Sequence, residues 1–348
     1  MKNKIVFIIN SLDPIAGAEK MFKTVISNLT GYYDIHVIVF KQIKEIYIKE
    51  ITFINLDLKW SSPFCKIKNI FILRNKIKEI SPNNMISFIE KTNIMALLAT
   101  LNCNCKKIVF EVTDPRREHL NKLFSFLYYK LYKIADIVLV NNKYVIDYLN
   151  TRDIVNTIYM PTPMLKPSIQ DEVKKIESEN YWLFLGRHHP VKGIERLVEA
   201  YSIANRENNL NSKLLIVGKE DPQASIRKMV NDLNLTEKVM LINEVQYHEV
   251  YLYIKNSKAL VLSSYFEGEP NVIIESMILS KPVIVFKNVI SLENDFDNIH
   301  SVLDIQELSN FLVKYDSKDF KFKEDDIEKL ELFSLKNVVN VWRKVIDQ

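Results

Sequence analysis

Short runs of apolar, β-branched residues recur along the chain, each followed by a longer helical or irregular stretch. The first series reads KIVFIIN, DIHVIVF, ITFINL, NMISFIE, KIVFEV and DIVLVN. After residue 180 the pattern restarts with YWLFLG, KLLIVG, KVMLIN, KALVLSS and KPVIVF. Near-continuous Val/Ile/Leu runs separated by helices predict parallel strands covered on both faces, an α/β class with two doubly wound sheets. Such sheets bind ligands at the carboxyl ends of their strands, and two of them facing each other predict a central cleft. Between the series, MPTPMLKPSIQDEVKKIESEN has three prolines, polar flanks and no strand pattern, so it reads as a linker. The expected organisation is a domain over 1–160, a linker over 161–179 and a second domain over 180–330. A closing helix over 331–348, spaced at Val338, Val341, Trp342 and Val345, is expected to pack back toward the first domain.

Two amphipathic stretches of the first domain stand out. Residues 66–80 place Ile67, Ile70, Leu73, Ile77 and Ile80 on one stripe. Residues 118–134 have a stripe at Leu120, Phe124, Leu127, Leu131 and Ile134, and on the opposite side Lys122, Phe126, Tyr129 and Lys133 fall together. Lysines interleaved with aromatic rings suit an anionic membrane interface, where rings sit at headgroup level. The plainer reading is a helix buried on both faces with its lysines reaching out. If the membrane reading holds, the acceptor is a lipid-linked sugar and Glu90, at the end of a strand, contacts its hydroxyl.

Composition narrows the class. The 348 residues are 47% hydrophobic and 26% charged, which suits a globular protein rather than a disordered one. Three cysteines without framework spacing fit a reducing compartment, and Cys103-Asn-Cys105 lacks the partners of a metal site. The opening MKNKIVFIIN is a strand rather than a signal peptide, and no run reaches the ~20 apolar residues of a membrane span. The expected location is therefore cytoplasmic, peripheral on the inner face of the membrane. Residues 1–160 carry 23 Lys/Arg against 14 Asp/Glu, and the remainder 24 against 29. A basic first half suits an anionic surface or ligand. No nucleic-acid motif accompanies it.

Candidate chemistry sits in two loops. In FLGRHHPVKGIERLVEAY, a strand ends and a helix starts near Lys192, with Gly186, Arg187, His188, His189, Lys192 and Gly193 between them. Cations beside a helix N-terminus can hold a diphosphate, Arg as a fork and Lys as a point charge. A solvated basic loop is the competing reading. In SSYFEGEPNVIIES, Pro270 sits where a first helical residue would, so the amides around Glu269, Asn271 and Val272 are free donors. Glu267 and Glu275 can each accept two hydrogen bonds from a vicinal diol. They can equally be acids that complement a helix dipole.

Read in order, Gly186-Arg187-x4-Lys192-Gly193 and then, about 75 residues on, Glu267-x7-Glu275 resemble the signature of glycosyltransferase family 4. The opening FIINSLDPIAGAEKMFKTVISNL, with Ala16, Gly17 and Glu19, is similar to that family's first loop and helix, and the likeness runs through nearly the whole chain. It implies a GT-B fold of two Rossmann-like domains and a retaining transferase that moves a hexosyl or N-acetylhexosaminyl group. The donor would be a nucleotide-diphosphate sugar, with no metal or other cofactor. By the resemblance, Arg187 and Lys192 hold the donor diphosphate, Glu267 contacts the transferred sugar and Glu275 the ribose. The backbone of Gly268, Glu269, Pro270, Asn271 and Val272 cradles sugar and phosphate. Ala16, Gly17, Glu19, Glu90, Glu111 and Asp114 would line the cleft on the acceptor side. The expected acceptor is a glycan, lipid-linked, in assembly of a cell-surface polysaccharide.

Three departures are visible. The glycine pair of the first loop is Ala16-Gly17, the usual basic residue after Glu111 is missing at Val112, and KNVISLENDFDNIHSVLD contains no glycine. Glu269 stands where relatives carry an apolar residue and is expected to face solvent. The pair Asp295 and Asp297 mimics a metal motif of another fold and reads as a solvated acidic loop. A nucleotide-sugar epimerase and a non-catalytic membrane scaffold share the architecture, but the paired cations and acids favour transfer. A dinucleotide oxidoreductase is disfavoured because no GxGxxG follows either first strand.

Overall fold

The computed structural model describes residues 2–12, 17–41, 48–116, 122–164, 181–220, 226–318 and 320–348. The chain divides into one unit of Met1–Pro163 with Phe333–Gln348 and a second of Met164–Leu332. The proposed linker lies almost entirely outside the described residues, as do Ala16 and residues 117–121.

In the first unit the elements are β1 (Lys4–Ile9), α1 (Gly17–Leu29), β2 (Asp34–Val39), β3 (Ile51–Asn55), α2 (Pro63–Ile80), β4 (Asn84–Phe88), α3 (Glu90–Ala99), β5 (Lys106–Glu111), α4 (Lys122–Tyr132), β6 (Ile137–Val140), α5 (Lys143–Asn150) and β7 (Thr157–Tyr159). Among the described residues every strand pairing is parallel, in the order β3-β2-β1-β4-β5-β6-β7. Strand β6, and β1 after Lys4, read as unbroken apolar runs because side chains on both faces are covered. One face packs against α1 and against the last helix of the chain, Leu335–Asp347. There Trp342 is fully buried among Phe7, Phe88 and Phe110, with ring centroids 5.7–6.4 Å away. The other face packs against α2, α3 and α4.

The second unit contains β8 (Tyr181–Leu185), α6 (Ile194–Asn208), β9 (Leu214–Val217), α7 (Ile226–Asp232), β10 (Val239–Ile242), α8 (Tyr247–Asn256), β11 (Ser257–Leu262), α9 (Asn271–Ile278), β12 (Val283–Phe286), β13 (Ile299–Val302), α10 (Ile305–Asp316) and α11 (Asp325–Lys329). Its sheet runs β10-β9-β8-β11-β12-β13, again all parallel. Both sheets therefore reverse their winding at one point: between β1 and β4, and between β8 and β11. The crevice beyond the carboxyl ends of those strand pairs is where doubly wound sheets take ligands.

Two helices differ from the periodicity reading. In α2 Leu73, Ile77 and Ile80 are buried, but Ile67 is exposed. In α4 the buried positions are Tyr128, Leu131 and Tyr132, and Ile134 beyond its end is exposed. Phe124, Leu127 and Leu131 of the expected stripe pack against the core, and Tyr128 and Tyr132 are buried beside them because their hydroxyls find a buried acceptor, Glu111.

Candidate functional site

At the switch point of the second unit, the loop after β8 and the loop after β11 meet. A single 3₁₀ turn, Pro190–Lys192, precedes Gly193, and α6 begins at Ile194 rather than at Lys192. Gly193 has φ +57°, and a Cβ there would lie 2.2 Å from the Ser263 carbonyl oxygen. Only glycine lets the two loops approach this closely. The contact is fixed by further bonds: Tyr265 N–H donates to Val191 O at 2.8 Å, and Ser263 Oγ donates to Lys192 O at 3.0 Å.

This approach brings Lys192 and Glu267, 75 residues apart in sequence, into an ion pair at 2.6 Å between Nζ and Oε1. Ser264 Oγ donates to the same carboxylate oxygen. Arg187 is exposed at the strand end, while His188 is buried with neither ring nitrogen hydrogen-bonded. Burial pushes the His188 imidazole below its ordinary pKa, which favours the neutral ring.

Pro270 is the N-cap of α9 and not its first residue; the helix starts at Asn271. Gly268, Asn271 and Val272 are half-buried beside it. Asn271 and Glu275 are four residues apart and share one helix face. Glu269 corrects the sequence expectation: it is 6% exposed rather than solvated. A carboxylate in a loop can fold inward when local donors satisfy it, which its position in the sequence does not reveal. Glu275 is also buried, at 7% exposure.

Arg196 was not foreseen. Its Nε donates to Ser263 O at 2.6 Å and its Nη2 to Ser264 O. Its guanidinium carbon stands 4.2 Å and 3.6 Å from the Tyr265 and Phe286 ring centroids. Burial pushes the guanidinium down to about 10, so it remains a cation at neutral pH. Arg196 braces the carbonyls of the loop that presents Glu267. Gly218 was missed too: at φ +154° a Cβ there would lie 1.9 Å from Gly186 O, so the ends of β8 and β9 touch through two glycines. A second strand-terminal glycine in a chain with six is the signal that could have found it.

At the corresponding point of the first unit, Gly17 opens α1 and Glu19 is half-buried in its first turn. Glu90 is the first residue of α3, directly after Ile89 at φ +73°. Positive φ at a β-branched residue is a strained geometry of the kind that gathers at functional sites. Glu111 and Asp114, expected on the acceptor side of the cleft, are both buried. Glu111 accepts from Tyr132 Oη (2.6 Å), Tyr128 Oη (3.2 Å), Thr113 N (3.0 Å) and Thr113 Oγ1. Tyr132 is in turn held by Asn93 Nδ2 at 2.8 Å. Asp114 is buried in a forked pair with Arg116, the shortest contact being 2.6 Å. Asp114 turns inward onto the nearby Arg116, while Glu111 is satisfied by Thr113 and by two tyrosines of α4.

Burial raises the Glu111 carboxyl from 4.5 to about 7, while its hydrogen bonds hold it down. The folded state therefore binds a proton that the unfolded state releases between these values, so stability falls as pH rises from about 4.5 to 7 and the loss is complete above. Unfolding of the wild type at pH 5 and pH 8 should differ from that of Glu111→Gln by on the order of 3 kcal/mol. Parallel pH profiles for the two proteins would contradict this.

On α4, Tyr129 is half-buried with its hydroxyl 2.7 Å from that of Tyr148, and Lys133 pairs with Asp153 at 3.1 Å. Phe126 is exposed, and the side chain of Lys122 lies outside what is described. Tyr129 is thus partly turned inward. Asp297 pairs with Lys323 at 3.3 Å. Among the described residues no cluster of His, Cys, Asp or Glu is placed to hold a metal ion, and no helix is long and apolar enough to cross a membrane.

Two parallel doubly wound sheets, each with its switch point, define a GT-B architecture. The family model of glycosyl transferases group 1 matches residues 166–293. A Campylobacter jejuni N-acetylgalactosamine-N,N'-diacetylbacillosaminyl-diphospho-undecaprenol 4-alpha-N-acetylgalactosaminyltransferase is 28% identical over 290 residues, 77% of this chain and 76% of the relative. An uncharacterized glycosyltransferase of Methanocaldococcus jannaschii is 26% identical over 64% of this chain, which spans 60% of that relative's length. The O-antigen chain mannosyltransferase of Salmonella typhimurium is 29% identical over 43% of this chain and 47% of its own. Among solved structures, the sucrose-phosphate synthase of Thermosynechococcus elongatus superposes with a TM-score of 0.82 at 17% identity, covering 99% of this chain and 100% of the other. An Anabaena protein, Alr3699/HepE, solved with UDP and glucose, superposes at 0.76 with 13% identity, covering 99% and 100%. These likenesses concern the fold.

Proposed function

We propose that the protein transfers a hexosyl or N-acetylhexosaminyl group, with retention of configuration, from a nucleotide-diphosphate sugar to a lipid-linked glycan of a cell-surface polysaccharide. The assignment to family 4 belongs to this reading. The observation that carries it is the Lys192–Glu267 pair at the switch point of the second unit, with Arg187 exposed beside it and Glu275 on the adjoining helix. The departing nucleotide gains negative charge on its diphosphate as the glycosidic bond breaks. Arg187 and Lys192 bind that charge more tightly in the transition state than in the ground state, which lowers the barrier. Glu267, already aimed by Ser264, exchanges its lysine for a sugar hydroxyl, and Glu275 takes the ribose diol. With two cations meeting the diphosphate, no divalent metal is required. The undecaprenol-linked substrate in the name of the Campylobacter relative supports a lipid-linked acceptor.

The test is thermal-shift screening against uridine- and guanosine-diphosphate sugars, with and without EDTA. One donor should stabilise the protein equally in both conditions. Arg187→Ala should lose that shift and about 10²–10³ in kcat/KM, with its circular dichroism unchanged. Near-normal turnover in Arg187→Ala would sink the donor-site assignment, and a shift that needs metal would sink the metal-free one.

A further inference from the structure

We propose that α2 is the surface by which the first unit docks on an anionic lipid bilayer. The helix is capped by Ser62, whose hydroxyl accepts from Cys65 N, and its inner face is held by Leu73, Ile77 and Ile80. The outer face leaves three large apolar side chains in water: Phe64 at 86% exposure, Ile67 at 57% and Phe71 at 59%. At 100° per residue these three lie within an arc of about 60°. Single exposed apolar residues need no explanation, but a stripe of them on one helix face does.

The charge around the stripe selects what covers it. On the helical wheel Lys68 flanks it on one side and Arg74 on the other, and Lys78 continues it one to two turns further along. The helix carries five cations against one acid, and that acid, Glu79, is paired with Lys76 at 2.6 Å. A second copy of the chain would set these cations against one another. A bilayer of anionic phospholipid offers headgroup phosphates at the level of the amines and acyl chains for the rings. The docked orientation deepens the reading of a lipid-linked acceptor and rests on it for its role. Vesicle binding itself needs neither donor nor acceptor, so either can fail while the other stands.

The experiment is flotation of the full chain with vesicles of phosphatidylglycerol and phosphatidylethanolamine, and with vesicles of phosphatidylcholine alone. The wild type should float with the first and not the second, and should release in high salt. Phe64→Gln with Phe71→Gln, and separately Lys68→Glu with Lys78→Glu, should each lower the bound fraction at least about tenfold. Both variants should keep the unfolding temperature and the donor-induced thermal shift, since neither pair touches the donor loops. Wild-type protein that stays at the bottom of the gradient overturns the proposal, as do variants that float unchanged. A concentration-dependent dimer in sedimentation velocity that Phe64→Gln with Phe71→Gln abolishes would instead assign this face to a protein contact.

Discussion

Lys192→Met is expected to lower kcat/KM by about 10²–10³, the usual cost of removing one charge aimed at a developing anion. Glu267→Gln should fall in the same range. The informative protein is the double variant. Lys192 and Glu267 form one ion pair, with Glu267 only 11% exposed in its side chain, so each single change costs the remaining charge this attraction. Removing both relieves that penalty, and the double variant should be more stable than either single one. Its activity, however, should stay within about tenfold of the worse single variant, because residues that act as a unit do not add. Steady-state kinetics and chemical denaturation on the four proteins separate the alternatives. Should activity return along with stability in the double variant, the pair is a brace and not part of the reacting site.

Gly193→Ala should cost about 3 kcal/mol or more of stability, since it combines two penalties. The left-handed backbone is unfavourable for alanine by roughly 1–2 kcal/mol. The added Cβ, placed 2.2 Å from Ser263 O, must also push the loop after β11 away. That displacement breaks the Ser263–Lys192 link and moves Glu267, so donor affinity should drop with stability. Gly31→Ala is the control: nothing lies within 4 Å of the position where its Cβ would sit, and its unfolding should change by less than about 0.5 kcal/mol. Equal denaturation midpoints for the two variants would show that the close approach of the loops is not required.

Much of this architecture is legible along the chain because it depends on local periodicity. Buried parallel strands must be apolar on both faces, so β1, β4, β8 and β11 announce themselves, and helices between them force parallel pairing. The order of Gly186-Arg187, Lys192-Gly193, Glu267 and Glu275 is likewise visible, since it consists of residue types at fixed spacing beside strand and helix ends. Sequence cannot rank the stripes of a helix that is apolar on several sides. In α2 both Ile67 and Ile77 fit a helical stripe, and only the position of the sheet decides that Ile77 goes inside and Ile67 stays out.

The inward turn of Glu111 belongs to the same class, because its burial depends on donors brought in from elsewhere. For Glu111 these include Tyr128 and Tyr132, 17 and 21 residues away. Arg196 is the sharpest case. On the helix it reads as an ordinary exposed cation, and its work on Ser263 and Ser264, 67 and 68 residues distant, exists only once β8 and β11 are neighbours. The sequence by itself determined the strand-and-helix order and the chemical types held in the two donor loops. Tertiary structure decided which acids are paired, which cation braces the loops and which face of α2 is left exposed. Those outcomes depend on distances between segments far apart in the chain, which no local pattern encodes.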